Sequence, residues 1–213
     1  MAVPRPPADD PRVTLGAAEV FTKCAMLFFD KVISRQPGTL LGEYQAVVMN
    51  FTFAIELYLK TLWLIEEKPH PKGRDGHDLR RLYDGLPVGL RQELEARYDA
   101  TYPKSTDPRR EPIKLYVASP EQELPGREEG AWKPEVSSLP NVLKAAKDDF
   151  TKWRYLHEHS RADEPKEFIF DHYGLAIARD VLHEVAHERL RAMLGDAAYT
   201  PPPDRGAKGT TSG

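Results

Sequence analysis

The window from Val47 to Ile65 constrains this chain more than any other stretch. It is almost wholly apolar, and only Asn50, Glu56 and Lys60 interrupt it strongly. Each of those two charges would cost about 2.5–3.5 kcal/mol at the centre of a bilayer, so the segment reads as a buried core helix and not a membrane span. Over about Leu41–Glu67, Val48, Phe51, Ile55, Leu59 and Leu62 line one face, while Phe53, Leu57 and Leu64 occupy others. A helix apolar nearly all round belongs at the centre of a domain. Thr52, Glu56 and Lys60 stand four apart and form one narrow polar stripe on it.

The remaining pattern is also helical. Phe21, Ala25, Phe28 and Val32 make a stripe within Thr14–Arg35, which Pro37-Gly38 ends. Asp78 is placed to cap a helix carrying Leu79, Leu82 and Leu86, and Leu90, Leu94 and Tyr98 continue beyond Pro87. Ser138 and Pro140 open a stretch with Leu143, Ala146, Phe150 and Trp153, reaching about His159. The last long helix runs from about Asp171 to Leu194 with Ala178, Leu182, Val185 and Leu190. Between Thr101 and Ser138 six prolines break the period, although Ile113–Val117 suits a short strand. The expectation is an all-α, up-and-down bundle of four to five main helices with a long Pro-rich insertion at 101–138. Residues 1–12 and 199–213, rich in Pro and small polar residues, read as disordered tails around one domain at 13–198.

Composition removes several function classes. With 213 residues, 30 Lys and Arg against 33 Asp and Glu, the net charge is -3. That balance disfavours wholesale coating of nucleic acid or anionic lipid, while leaving room for a local basic patch. The single cysteine excludes an internal disulfide framework and a cysteine-rich zinc module, and fits a reducing compartment. The N-terminal residues lack the apolar core and basic flank of a signal peptide, so a cytoplasmic location without a membrane partner is expected.

Four constellations could carry chemistry. Glu56 precedes Lys60 by four, the favoured order for a helical ion pair; among apolar flanks such charges should be paired or line a site. Gly76-His77-Asp78-Leu79 reads either as a hinge with a capping Asp or as a site at a helix N-terminus, where backbone N–H groups favour anions. In Trp153-Arg154-Tyr155-Leu156-His157-Glu158-His159, an Arg154–Glu158 ion pair is the plainer reading. Alternatively, His159 moves a proton near neutral pH while Arg154 stabilises a charged phosphorane, as metal-free RNA cleavage requires. His183-Glu184-Val185-Ala186-His187 matches the two-histidine zinc pattern on a helix, but no third ligand follows it at the usual place.

Three of these islands in order resemble the HEPN superfamily of small helical domains. The resemblance rests on Asn50-Phe51-Thr52-Phe53-Ala54-Ile55-Glu56-Leu57-Tyr58-Leu59-Lys60. It rests also on Lys72-Gly73 leading to Gly76-His77-Asp78-Leu79 and Leu82, and on Phe150, Trp153-Arg154-Tyr155 and Glu158. It covers roughly 14–195 without the insertion. It implies a bundle that usually dimerises and a nucleic-acid role in prokaryotic defence or toxin–antitoxin settings. Many relatives are metal-independent ribonucleases with Arg and His four to six residues apart, a spacing that Arg154 and His159 fit.

The expected function is therefore RNA or nucleotide binding, with metal-independent endoribonuclease activity and no cofactor. Arg154, His159 and Glu56 are the candidate catalytic residues, and Lys60, His77, Asp78 and Glu158 the candidate binding residues, with no metal ligand among them. A homodimer and an antitoxin or defence-system partner are the expected associations. Two alternatives stay open: a non-catalytic dimerisation module held by the same charges, and a zinc-dependent hydrolase through His183-Glu184-x-x-His187.

Overall fold

The computed structural model describes residues 10–34, 38–69, 71, 73–101, 111–118, 121–122, 138–147, 153, 166–195 and 199. They form a mostly helical fold with one small sheet. The order is α1 (Pro11–Ile33), α2 (Leu41–Ile65), a 3-10 turn (Gly73–His77), α3 (Leu79–Asp84), α4 (Val88–Thr101), β1 (Ile113–Val117), α5 (Leu139–Ala145), β2 (Lys166–Phe170) and α6 (His172–Leu194).

Helix α2 is long and apolar enough by composition to cross a membrane. Here it is the central core helix: Val48, Phe51, Ile55, Leu59 and Leu62, its expected inner face, have no exposed surface. Helix α1 runs antiparallel to it. Phe21 meets Phe53 edge-on at 4.5 Å, Phe29 tilts against Phe51 at 5.1 Å, and Lys31 reaches Glu43 at 2.8 Å. Glu43 also accepts from the Leu40 N–H at 2.7 Å, so one carboxylate closes the start of α2 and ties it to the end of α1. On the other side, Arg179 lies over Phe51 at 5.4 Å and Tyr58 meets His183 at 5.7 Å, so α6 runs in the same direction as α2.

Helix α1 begins earlier than its apolar stripe suggests. Asp10 caps it by accepting from the Arg12 N–H at 2.9 Å, and Pro11 sits in the first turn, where its missing N–H costs nothing. Residues 10–12, expected to belong to a disordered tail, are thus part of the domain. Of its expected stripe, Ala25 and Val32 are buried and Phe21 packs against the core, whereas Phe28 is 36% exposed; Leu15, Ala18 and Glu19 widen the buried face.

The all-helical expectation needs a second correction. Strand β1 falls where the sequence allowed one, and it pairs antiparallel with β2, which the sequence reading did not anticipate. Ile113 faces Phe170 in the register and Leu115 faces Phe168. Alternation drives the strand: Phe168 and Phe170 are buried around Trp153, at 5.6 and 6.2 Å, while Ile169 between them is half exposed.

Candidate functional site

Two of the three polar islands meet. The Glu56 side chain is 2% exposed, and Lys60, one turn further on, places Nζ 2.6 Å from Glu56 Oε1. His77, at the end of the 3-10 turn, brings Nδ1 to 3.1 Å from Oε1 and 3.0 Å from Oε2. The turn that delivers His77 depends on Gly76. It is buried, and a Cβ there would lie 2.5 Å from the Pro71 carbonyl oxygen, a backbone atom that cannot swing aside.

The chemistry of this trio follows from its donors and acceptors. A carboxylate only accepts, so an ionised Glu56 favours the His77 tautomer with the proton on Nδ1. The ring's second nitrogen, Nε2, is then left to take or give a proton. His77 keeps 55% of its side-chain surface exposed, so the ring stays open to solvent while its carboxylate partner is enclosed. A buried carboxylate that fixes the tautomer of an accessible imidazole is the arrangement a general base needs. Lys60 compensates the buried negative charge.

Asp78 does something else. Its carboxylate accepts from the Arg81 N–H at 3.0 Å and caps α3. This is the capping role that the sequence allowed, and it engages one carboxylate oxygen, Oδ1. Arg154, Glu158 and His159 lie outside the described residues. Trp153 beside them is described and fully buried, and its carbonyl oxygen accepts from Gln45 Nε2 at 2.9 Å. Gln45 shares a face of α2 with Glu56, about three turns or 16 Å earlier along the helix. Trp153 is therefore anchored to the same face of α2 as Glu56. A cavity of about 420 Å³ lies beside Trp153, bounded by Val142, Ala146, Phe168 and Leu175; Glu56, Lys60 and His77 do not line it.

A second cluster involves a residue that the sequence reading missed. Glu19 on α1 is 8% exposed, and its Oε1 lies 2.7 Å from His187 Nε2 and 3.9 Å from His183 Nε2 on α6. One donor atom from each of the three residues falls within 4.8 Å of the others. Burial pushes Glu19 above its ordinary carboxylate range, partly opposed by His183 and Lys23. Burial likewise holds both histidines below their ordinary value; for His183 the neighbouring His187 adds to this and Glu19 opposes it, and for His187 Arg191 adds to it. Tyr58, pushed up to about 12 chiefly by burial, stays neutral beside His183 and meets Thr22 at 3.2 Å. Glu184, the would-be base of the zinc pattern, is exposed and not a member of the cluster. The signal for Glu19 was present in the sequence: it falls four residues after Leu15 and beside Ala18, on what proves to be the buried face of α1.

Comparison with protein-family models, curated proteins and solved structures finds no match to this chain.

Proposed function

We propose that this chain is a HEPN-like helical bundle that binds RNA or a nucleotide and cuts RNA without a metal. Arg154 stabilises the phosphate and His159 moves the proton. Glu56 orients His77 as a second proton-handling or substrate-binding group, and Lys60 and Glu158 set the local charge. The observation that carries this reading is the buried Glu56 carboxylate holding the imidazole of His77, two residues from sequence islands far apart. A catalytic imidazole needs such a partner to fix its tautomer. The setting is a cytoplasmic homodimer within a defence or toxin–antitoxin system. Val13, Val20 and Leu27 supply an apolar face for the second copy; they repeat every seven residues along α1 and are 46%, 57% and 76% exposed.

The test is RNA loss in EDTA. Wild type is incubated with total RNA beside Arg154→Ala, His159→Ala and His77→Ala. Loss with wild type alone supports the reading. Equal loss in all samples, or none in any, removes it.

A second reading has an observation of its own: both Glu56 oxygens already have partners inside the fold. Such a satisfied network suits a non-catalytic module in which charge specifies packing. It predicts RNA-inert protein in which Glu56 substitutions change melting temperature alone.

A further inference from the structure

We infer that Glu19, His183 and His187 form a binding site for a divalent transition ion of the zinc class, clamping α1 to α6. This site is independent of the Glu56–His77 pair and does not rest on the proposed RNA chemistry. The donor set is two imidazoles and one carboxylate, the borderline set that Zn2+ prefers over Mg2+ or Ca2+.

The decisive observation is how Glu19 and His187 face each other. Their oxygen and nitrogen are 2.7 Å apart, yet neither Glu19 Oε1 nor His187 Nε2 makes a hydrogen bond, and both atoms are buried. A cation seated between these two buried atoms would satisfy both at once. A tetrahedral zinc with bonds of about 2.0–2.1 Å spaces its ligand atoms about 3.3 Å apart. The distances from Glu19 Oε1, 2.7 and 3.9 Å, bracket that value, each within about 0.6 Å of it.

The surroundings favour the metal-binding form of each ligand. His187 Nδ1 lies in hydrogen-bond contact with the Tyr199 hydroxyl. If the ring donates to that oxygen, Nε2 presents its lone pair to the site, the arrangement that orients a metal-ligating imidazole. Tyr199, the first residue of the expected tail, is thereby tied to the domain, and Arg191 lies over its ring at 4.9 Å. Lys23, Arg179 and Arg191 bring positive charge to the surroundings, while Asp180 opposes it. Three protein ligands leave a fourth position for water. Because Glu184 stands outside the cluster, the site lacks the base of the two-histidine zinc pattern, and its clearest effect is to clamp α1 to α6.

The experiment uses the full chain without a polyhistidine tag, stripped with EDTA and dialysed. Zn2+ is titrated in competition with a chromophoric chelator, and melting is followed with Zn2+ or Mg2+. The expected result is one Zn2+ per chain at submicromolar Kd. At a hundredfold excess over Kd the melting temperature should rise by about 5–10 °C. Mg2+ should have no effect. Glu19→Gln, which keeps the shape, should weaken Zn2+ binding at least about tenfold, as should His187→Gln. Co2+ in place of Zn2+ should show visible bands of low-symmetry coordination that Glu19→Gln loses. Absence of 1:1 binding at 100-fold excess Zn2+ over protein, or equal affinity in wild type and Glu19→Gln, overturns the site.

Discussion

Replacing Glu56 by Gln removes a charge while keeping the side chain's shape. In the folded protein Glu56 is 2% exposed and Lys60 14%, with Nζ and Oε1 at 2.6 Å. The substitution leaves the largely enclosed Lys60 ammonium without its counter-charge. Breaking a buried pair from one side costs about 3–5 kcal/mol, because the remaining charge keeps its desolvation penalty. The His77 contact adds little, since that ring is 55% exposed and a solvent-screened contact contributes about 0–1 kcal/mol. The low end, about 3 kcal/mol, is the reasonable expectation. For a chain of this size that is a fall in melting temperature of about 6–12 °C. Removing both charges together, with Glu56→Met and Lys60→Met, should return most of the loss, because neither charge is left alone and both side chains remain apolar neighbours of the core. Circular dichroism melts and urea titrations of the three proteins measure this. A Glu56→Gln protein melting within about 1 °C of wild type would refute the argument, as would a double variant no more stable than the single.

Other outcomes follow from particular contacts. Gly76→Ala should push the 3-10 turn off the Pro71 carbonyl, withdraw His77 from Glu56 and lower any RNA affinity with a small loss of stability, read by binding titration beside melting. Lowered values for His183 and His187 mean that the folded state resists protonating them. Their contribution is present above the ordinary value of 6.5 and is lost as pH falls below it. Glu19 opposes this, since its raised value favours the acid form, but it is one group against two. Without metal, melting temperature should therefore fall on going from pH 7.5 toward 5.5, and His183→Gln with His187→Gln should flatten the profile. An unchanged slope in that variant contradicts the assignment. Leu27→Glu on α1 should convert a dimer to monomer in light scattering without unfolding it; a wild type that is already monomeric contradicts the proposed partner.

Much of the core could be read from side-chain spacing, because a helix buried on all sides tolerates few alternatives. The inner face of α2, Leu90, Leu94 and Tyr98 on α4, and Ala178, Leu182, Val185 and Leu190 on α6 are all buried as their periods indicate. The full width of the buried face of α1 was not legible. Its apolar residues nearly encircle it, and packing added Leu15, Ala18 and Glu19 to the buried face while leaving Phe28 at its edge. Strand β2 escaped notice because five residues are too few to separate strand from helix by period, and its pairing with β1 spans more than fifty residues of chain. The Glu56–Lys60 pair was visible as a spacing of four. Its contact with His77 was not, since it is made by a turn whose shape depends on one close backbone approach at Gly76. The Glu19 cluster was half visible: its two histidines form a recognisable pattern, but the third member comes from the other end of the chain.

The central claim is that Glu56 and His77 act on RNA as one unit, and a double-mutant cycle addresses it most directly. RNA affinity in EDTA is measured for wild type, Glu56→Gln, His77→Gln and the combination, with fold checked by circular dichroism. If Glu56 works by orienting His77, either single substitution forfeits nearly all that the pair provides, and the combined protein binds no worse than the singles. Losses that simply add, or a wild type that binds no RNA at all, would contradict it.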